Sequence, residues 1–166
     1  MRLGRALGAG IAGGIVVVAV VGVAGLLAGT NADLCKLGGV VLTGRRDAIG
    51  WLTGAAAQLT IAAIAGLVYA AIFELVTRRA GALVGLAIAV PHAVLAGLAI
   101  GFVPASRLID AGIGPPGAFM EYRGGWVVAA FVLAHIAFGV AVGTLYGTVQ
   151  HAPRLARTWR EITARP

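Results

Sequence analysis

The sequence predicts an all-α integral membrane protein in which four transmembrane helices form an antiparallel bundle. The first observation is composition: 60% of the 166 residues are hydrophobic, only 11% are charged, and the mean hydropathy is +0.96. A soluble domain usually carries about 25% charged residues, so this chain has too few to cover a surface in water. The second observation is four apolar runs, each near the ~20 residues that cross a bilayer. The third is the placement of the arginines.

Each apolar run predicts one helix, and the four together predict a transmembrane domain over residues 1–150. The first run also has an interpretation as a cleaved signal peptide, because MRLGR is a positively charged start and Thr30-Asn31-Ala32 is a tolerable cleavage site. Its length exceeds the usual signal-peptide core of about 7–15 residues, which favours a retained helix. The predicted spans are residues 6–29, 51–76, 81–103 and 126–149.

Basic residues concentrate on one predicted side of the membrane. That side holds eight arginines and two glutamates, a net charge of +6, and the other holds five basic and four acidic residues, a net charge of +1. Because cytoplasmic loops carry an excess of Lys and Arg, both termini are predicted to be cytoplasmic. The same bias accounts for the net charge of +7, so nucleic-acid binding is not needed to explain it. The sequence also contains no nucleic-acid-binding motif. The eight arginines are Arg2, Arg5, Arg78, Arg79, Arg154, Arg157, Arg160 and Arg165.

The predicted outer connections are much longer than the inner one. Residues 30–50 and 104–125 each give an outer loop of about twenty residues, and loops of that length are usually functional or disordered. The outer face is therefore the predicted functional face, with a plain connector as the alternative. The basic tail, residues 151–166, is either a short amphipathic helix on the inner leaflet or a solvated end. The candidate outer-loop residues are Arg107, Asp110, Glu121 and Arg123.

Glycines spaced four residues apart predict close helix packing in the third and fourth spans. Lipid tails are as apolar as leucine, so transmembrane helices associate through small residues that let their backbones approach. Pro91 removes a backbone donor and is expected to kink the third span beside His92. The glycines expected to pack are Gly85, Gly97, Gly101, Gly139, Gly143 and Gly147.

Two histidines lie near the middle of apolar spans, where an ionisable side chain is costly and marks a candidate functional site. Counted from the outer ends of their spans, His92 and His135 both lie roughly 13–17 Å deep, at about 1.5 Å per residue. Antiparallel neighbouring helices would bring them level. The first expectation is structural: each histidine forms a hydrogen bond with a neighbouring helix, with Gln58 and Thr60 as candidate partners.

Three functional interpretations of the histidine pair compete with the structural one. In the first, the two histidines are the axial ligands of a b-type haem, and Arg107 or Arg123 binds the haem propionates. With Tyr69, Glu74 and Tyr146 the pair would instead form a transport or proton-relay track towards the cytoplasm. A metal hydrolase needs a third ligand, which Asp110 or Glu121 would supply only from a re-entrant loop.

Two further features limit these interpretations. Glu74 precedes Arg78 by four residues, so an interfacial ion pair is a simpler expectation for it than a place in a relay. A single cysteine, Cys35, excludes an internal disulfide.

The sequence favours a non-enzymatic role in a bacterial inner membrane. No GxSxG, HExxH, CxxC or Walker sequence is present. The high content of Ala, Gly, Val and Arg is typical of a GC-rich bacterial genome. We therefore expect a structural or accessory subunit, in contact with lipid and either self-associated or bound to other membrane subunits. The alternative is a small transport, proton-relay or haem-binding protein that uses His92 and His135.

Overall fold

A computed structural model of the chain describes residues 1–149, and these residues are helical with no β-strand. Four of the helices in this range are long and apolar enough to span a membrane, which indicates a membrane protein. The predicted tail, residues 151–166, lies outside the described residues. The helices are α1 (Leu3–Leu27), α2 (Leu34–Thr43), α3 (Ala48–Ile72), α4 (Ala82–Gly101), α5 (Ala105–Asp110) and α6 (Gly125–Tyr146).

Helices α1 and α6 form the centre of the molecule. They pack on each other, α3 packs on α1, and α4 packs on α6. In the most apolar 18-residue stretch of α6, half of the residues are buried, whereas in that of α4 only 22% are buried. Most of the α4 surface therefore faces outwards. Large side chains such as Leu83 and Leu95 cover this outward face. Such a surface is stable in lipid but not in water.

Helices α2 and α3 form a tight hairpin at one end of the molecule. The Asp33 carboxylate accepts a hydrogen bond from the Lys36 amide (2.9 Å) and caps α2, and Asp47 caps α3 through the Gly50 amide (3.0 Å). Gly54 lies so close to the Cys35 carbonyl that a Cβ would collide with it. The predicted twenty-residue loop over residues 30–50 is therefore wrong in part, because an apolar ten-residue helix fills its middle.

The connection between α4 and α6 folds against the same end of the molecule. After α5, residues Ala118–Arg123 form a 3-10 segment with left-handed backbone at Phe119 (φ +52°) and Met120 (φ +64°). Both side chains point into the protein, and Met120 is fully buried. Left-handed backbone at bulky residues is costly, so the packing of these two side chains holds the segment in place.

The other end of the molecule carries a change in helical pitch. Helix α3 continues into a π-helical segment, Phe73–Thr77, and the chain then turns through Arg78 in a left-handed conformation (φ +50°). Pro91 lies inside α4, and the helix continues on both sides of it. The wider π-helical turn changes the direction of Glu74 relative to the residues of α3 before it.

Candidate functional site

The structure brings His92 of α4 and His135 of α6 into contact. Their ring centroids are 5.3 Å apart and their planes lie at 78°. His92 is ten residues from the start of α4 and nine from its end, and His135 is ten residues from the start of α6 and eleven from its end. Two polar rings therefore meet near the middle of the two helices.

Each histidine forms one hydrogen bond through Nδ1. His135 Nδ1 lies 2.8 Å from the Phe131 carbonyl oxygen, one turn back in α6. His92 Nδ1 lies 3.2 Å from the Tyr69 hydroxyl of α3. The prediction that Thr60 forms a hydrogen bond with a histidine is wrong, because Thr60 is exposed and its hydroxyl donates to the Ala56 carbonyl of its own helix.

A cavity of about 270 Å³ lies beside the two histidines. Gln58 of α3 also lines it, so one predicted partner shares a cavity with the pair although it forms no direct bond to either ring. The other lining residues are apolar or aromatic: Gly14, Val17, Leu34, Ile61, Ala62, Ala65, Ala96, Ala99, Ile100, Val103, Phe131 and Phe138.

The cavity opens on the outside of the molecule between α3 and α4. Its rim includes Ile61, which is 62% exposed, and Ala99, which is also exposed. Helix α3 packs on α1 and α2, and α4 packs mainly on α6, which leaves a gap between α3 and α4. Leu34 and Val103 place one end of the cavity near the α2 end of the molecule, and the histidines lie at its other end. The opening therefore lies between two apolar helices that are long enough to span a membrane.

The three polar side chains at the cavity have unused hydrogen-bonding capacity. Within residues 1–149, Nε2 of each histidine and the Gln58 amide have no protein partner, and none of these atoms is sealed from the surroundings. Buried polar groups in proteins are usually paired. Three unpaired groups around one space thus provide donors and acceptors for a molecule that enters it.

An aromatic layer closes the cavity at the end where the histidines lie. Tyr69, Phe73 and Phe138 are each no more than 2% exposed, and the Tyr69 ring meets both phenylalanine rings edge-on at 6.1 and 5.6 Å. Phe138 also contacts His92, with 5.2 Å between centroids. Beyond the layer, the Tyr146 ring packs on Phe73 at 5.6 Å.

A second polar cluster lies beyond this layer. The Tyr146 hydroxyl donates to the Glu74 carboxylate (2.6 Å) and accepts from the Arg2 backbone amide (3.2 Å). The ion pair predicted between Glu74 and Arg78 does not form. The structure thus divides the predicted relay residues into two groups, with Tyr69 beside His92 and Tyr146 beside Glu74. The apolar ring of Phe73 separates the groups, so they form no continuous polar track.

A b-type haem does not fit between His92 and His135. Two histidines that ligate one iron lie on opposite faces of a macrocycle, whereas these rings contact each other directly. The cavity is also smaller than the roughly 300–1,000 Å³ of pockets that hold drug-sized ligands. In the described part of the chain, no group of three or more His, Cys, Asp or Glu side chains is arranged to hold a metal ion.

Arg107 and Arg123 donate hydrogen bonds to backbone carbonyls of neighbouring segments. Arg107 donates to the Val41 carbonyl at the end of α2 (2.6 Å), and Arg123 donates to the Ile113 and Gly114 carbonyls (2.9 and 2.8 Å). Burial lowers the Arg123 pKa. Arg107 thus joins α5 to α2, and Arg123 joins the segment before α6 to the turn after α5.

The two outer acidic candidates lie apart from the histidines. Asp110 and Glu121 are exposed, and neither lines the cavity. The re-entrant third metal ligand considered from the sequence is therefore not present.

The turn between α2 and α3 contains one ion pair. Arg45 forms an ion pair with Asp47, whose pKa falls to about 2 through this bond and the Gly50 amide. Burial, with a smaller effect of the Asp33 charge, raises the Cys35 pKa to about 11. Cys35 is therefore a protonated, buried thiol, which suits a packing residue better than a nucleophile.

Three of the six predicted packing glycines lie where α4 meets α6. Gly85 faces Gly139, and Gly143 faces the backbone of Gly81 just before α4. A Cβ at any of the three would overlap atoms of the facing segment. This contact sets the spacing of the helices that carry His92 and His135.

The remaining three glycines have other surroundings. Gly97 lies against the Phe119 ring and Gly101 against Ala118, so these two glycines support the segment Ala118–Arg123 rather than another long helix. Gly147 follows the last residue of α6 with φ +76° and ends that helix. Four-residue spacing in the sequence does not distinguish glycines in such surroundings from glycines at a helix–helix contact.

Comparison with known protein families, curated proteins and solved structures gives no match for this chain.

Proposed function

We propose that this protein binds a small molecule in the cavity lined by Gln58, His92 and His135. The observation that carries the proposal is the set of polar atoms around one opening of about 270 Å³ that have no protein partner within residues 1–149. Unsatisfied polar groups at membrane depth are costly and are retained where they serve a ligand or a pathway.

The geometry favours a binding site over a continuous pathway. Phe73 and Phe138 fill the space between the cavity and the Glu74–Tyr146 cluster, and both rings are buried. Transport would require this aromatic layer to move, whereas binding requires only the space already present. The accessory or self-associated role expected from the sequence stays a prediction.

We further propose an antiparallel bundle with both termini in the cytoplasm of a bacterial inner membrane. The arginine distribution supports this orientation, and the cavity then opens in the outer half of the bilayer. Fusion of a cytoplasm-active reporter to each terminus in turn, and of a periplasm-active reporter at Gly114, tests it. Signal from a cytoplasmic reporter at both termini is expected, and termini on opposite faces would contradict the orientation.

A cavity-filling substitution tests the proposed function. Ala96 lines the cavity on α4, so Ala96→Phe places a ring in the binding space. Leu95→Phe adds a similar ring one residue away, at a side chain that is 67% exposed on the same helix and outside the cavity. It serves as the matched control.

The measurement is mass spectrometry of small molecules that co-purify with each protein in mild detergent. We expect a compound enriched with the wild type and Leu95→Phe and depleted at least tenfold with Ala96→Phe. Equal amounts with all three proteins, or no enriched compound with any of them, would contradict a ligand-binding cavity.

A further inference from the structure

The hydrogen bonds at Nδ1 determine what each histidine offers to the cavity. The Phe131 carbonyl oxygen only accepts hydrogen bonds, so Nδ1 of His135 carries the proton that joins them. In the neutral ring the other nitrogen, Nε2, then holds a lone pair. His135 therefore presents a hydrogen-bond acceptor to the cavity.

His92 presents the opposite character. The Tyr69 hydroxyl is buried, and His92 Nδ1 is its only hydrogen-bond partner within residues 1–149. If the hydroxyl donates, its proton is satisfied, whereas the reverse arrangement leaves a buried hydroxyl proton without an acceptor. The donating arrangement places the His92 proton on Nε2. His92 is then a donor beside the acceptor of His135, and Gln58 supplies one group of each kind.

The cavity is suited to an uncharged molecule. Among the described residues, no Asp, Glu, Lys or Arg lines it. A phosphate, carboxylate or ammonium group would lose its hydration there without an opposite charge, which is strongly unfavourable in an apolar environment. Charged lipid headgroups and ionised fatty acids are therefore poor ligands.

The surroundings are also aromatic and open to the side. Phe131, Phe138 and both imidazole rings line the space, and planar rings pack well on one another in edge or offset arrangements. The opening between Ile61 and Ala99 allows an apolar tail to remain outside the protein. A space of about 270 Å³ fits a single-ring head and not a whole lipid.

Resting on the proposed ligand-binding function, we infer that the ligand is an uncharged, membrane-dissolved amphipath whose head is a hydroxyl-bearing aromatic ring, as in a quinol. The ring hydroxyl donates to Nε2 of His135. A second ring oxygen accepts from Nε2 of His92, and the apolar tail leaves between α3 and α4. Gln58 lies at the same cavity to bind either oxygen.

The test measures equilibrium binding of matched short-tailed probes to the full chain in nanodiscs under reducing, anaerobic conditions. The probes are 2-decyl-1,4-hydroquinone, its dimethyl ether, which lacks the hydroxyl protons, 1,2-dodecanediol, which lacks the ring, and decanoate, which is charged. We expect saturable binding of the hydroquinone, with each of the other probes at least about tenfold weaker, as loss of a hydrogen bond or ring contact predicts.

Protein variants assign the recognition to the residues named. His135→Phe keeps an aromatic ring and removes the acceptor, so it should weaken hydroquinone binding about tenfold and leave the dimethyl ether unchanged. Thr60→Val is the control, because the Thr60 hydroxyl bonds within α3 outside the cavity. A hydroquinone affinity that is equal in wild type and His135→Phe would overturn the assignment, provided that both proteins show the same circular dichroism.

The outcomes separate this inference from the function on which it rests. If the diol or decanoate binds as well as the hydroquinone and Ala96→Phe abolishes that binding, the cavity is a ligand site and the aromatic assignment is wrong. If the dimethyl ether binds as well as the hydroquinone, the hydroxyl assignment is wrong. If no probe binds and no compound co-purifies with the wild type, the ligand-binding function is wrong as well.

Discussion

Replacement of Gly85 by alanine tests whether the contact between α4 and α6 determines the position of the two histidines. A Cβ on Gly85 would fall well inside contact distance of the Gly139 carbonyl oxygen, a backbone atom that moves only if the whole helix moves. Overpacking of this kind costs about 1–3 kcal/mol. Alanine also favours the helix over glycine by about 1 kcal/mol, which opposes the effect.

A second glycine removes the helix-propensity contribution from the comparison. Gly22 lies inside α1, and a Cβ there has nothing within 4 Å. Gly22→Ala therefore gains about 1 kcal/mol of helix stability and causes no overpacking. Gly85→Ala gains the same helix stability but also overpacks the contact with α6. The difference between the two variants is the cost of overpacking alone, about 1–3 kcal/mol.

Thermal unfolding of the two variants in the same detergent measures this difference. For a chain of this size, 1 kcal/mol corresponds to about 2–4 °C in Tm, so Gly85→Ala should melt about 2–12 °C below Gly22→Ala. Binding of the cavity ligand should weaken in Gly85→Ala alone, because His92 and His135 lie on the helices that separate. Equal melting temperatures would show that Gly85 and Gly139 are not in close contact and would refute the reasoning.

Two further predictions concern the Glu74–Tyr146 cluster and the Cys35 thiol. Tyr146→Phe removes the hydroxyl that joins Glu74 to the Arg2 amide. Because the acceptor is a carboxylate, this loss should lower the free energy of unfolding by about 1.5–3 kcal/mol. A change below about 0.5 kcal/mol in a denaturant titration would contradict the hydrogen bond. Cys35 should react with iodoacetamide at pH 8 roughly a hundredfold more slowly than an ordinary thiol, because its pKa is about 11 in place of 9.0. Since the native pKa lies above the unfolded value, the thiol stabilises the fold below pH 9 and this stabilisation is lost as the pH rises towards 11. Modification of the folded protein at the rate of a free thiol would contradict the burial of Cys35. The same protein unfolded in SDS is the control, and its thiol should react at the ordinary rate.

The spans could be predicted from the sequence because crossing a bilayer requires only length and apolarity. The second predicted span, residues 51–76, lies within three residues of the helical stretch Ala48–Thr77 at both ends. The short helix α2 could not be predicted in the same way, because ten residues do not cross a bilayer and Lys36 interrupts their apolar pattern. Its position depends on Gly54, where the two backbones touch.

The candidate site was only partly predictable. The cost of a polar ring inside an apolar span identified His92 and His135, and Gln58 stands out in the second span for the same reason. The partner of His92 could not be predicted, since contact with Tyr69 depends on how α3 and α4 are rotated about their axes. The aromatic layer was missed because Phe73 and Phe138 look like ordinary lipid-facing residues in the sequence. Four-residue spacing of Tyr69 and Phe73 on one helix face was the available signal.

The aromatic layer also limits how deep a ligand can enter. Phe138 lines the cavity and packs edge-on against Tyr69, whereas Phe73 packs between Tyr69 and Tyr146. A small residue in place of Phe138 would extend the cavity towards Tyr69 and leave the Phe73 ring as the remaining wall before the Glu74–Tyr146 cluster. The size of the head group that the site accepts is therefore governed by one side chain of α6.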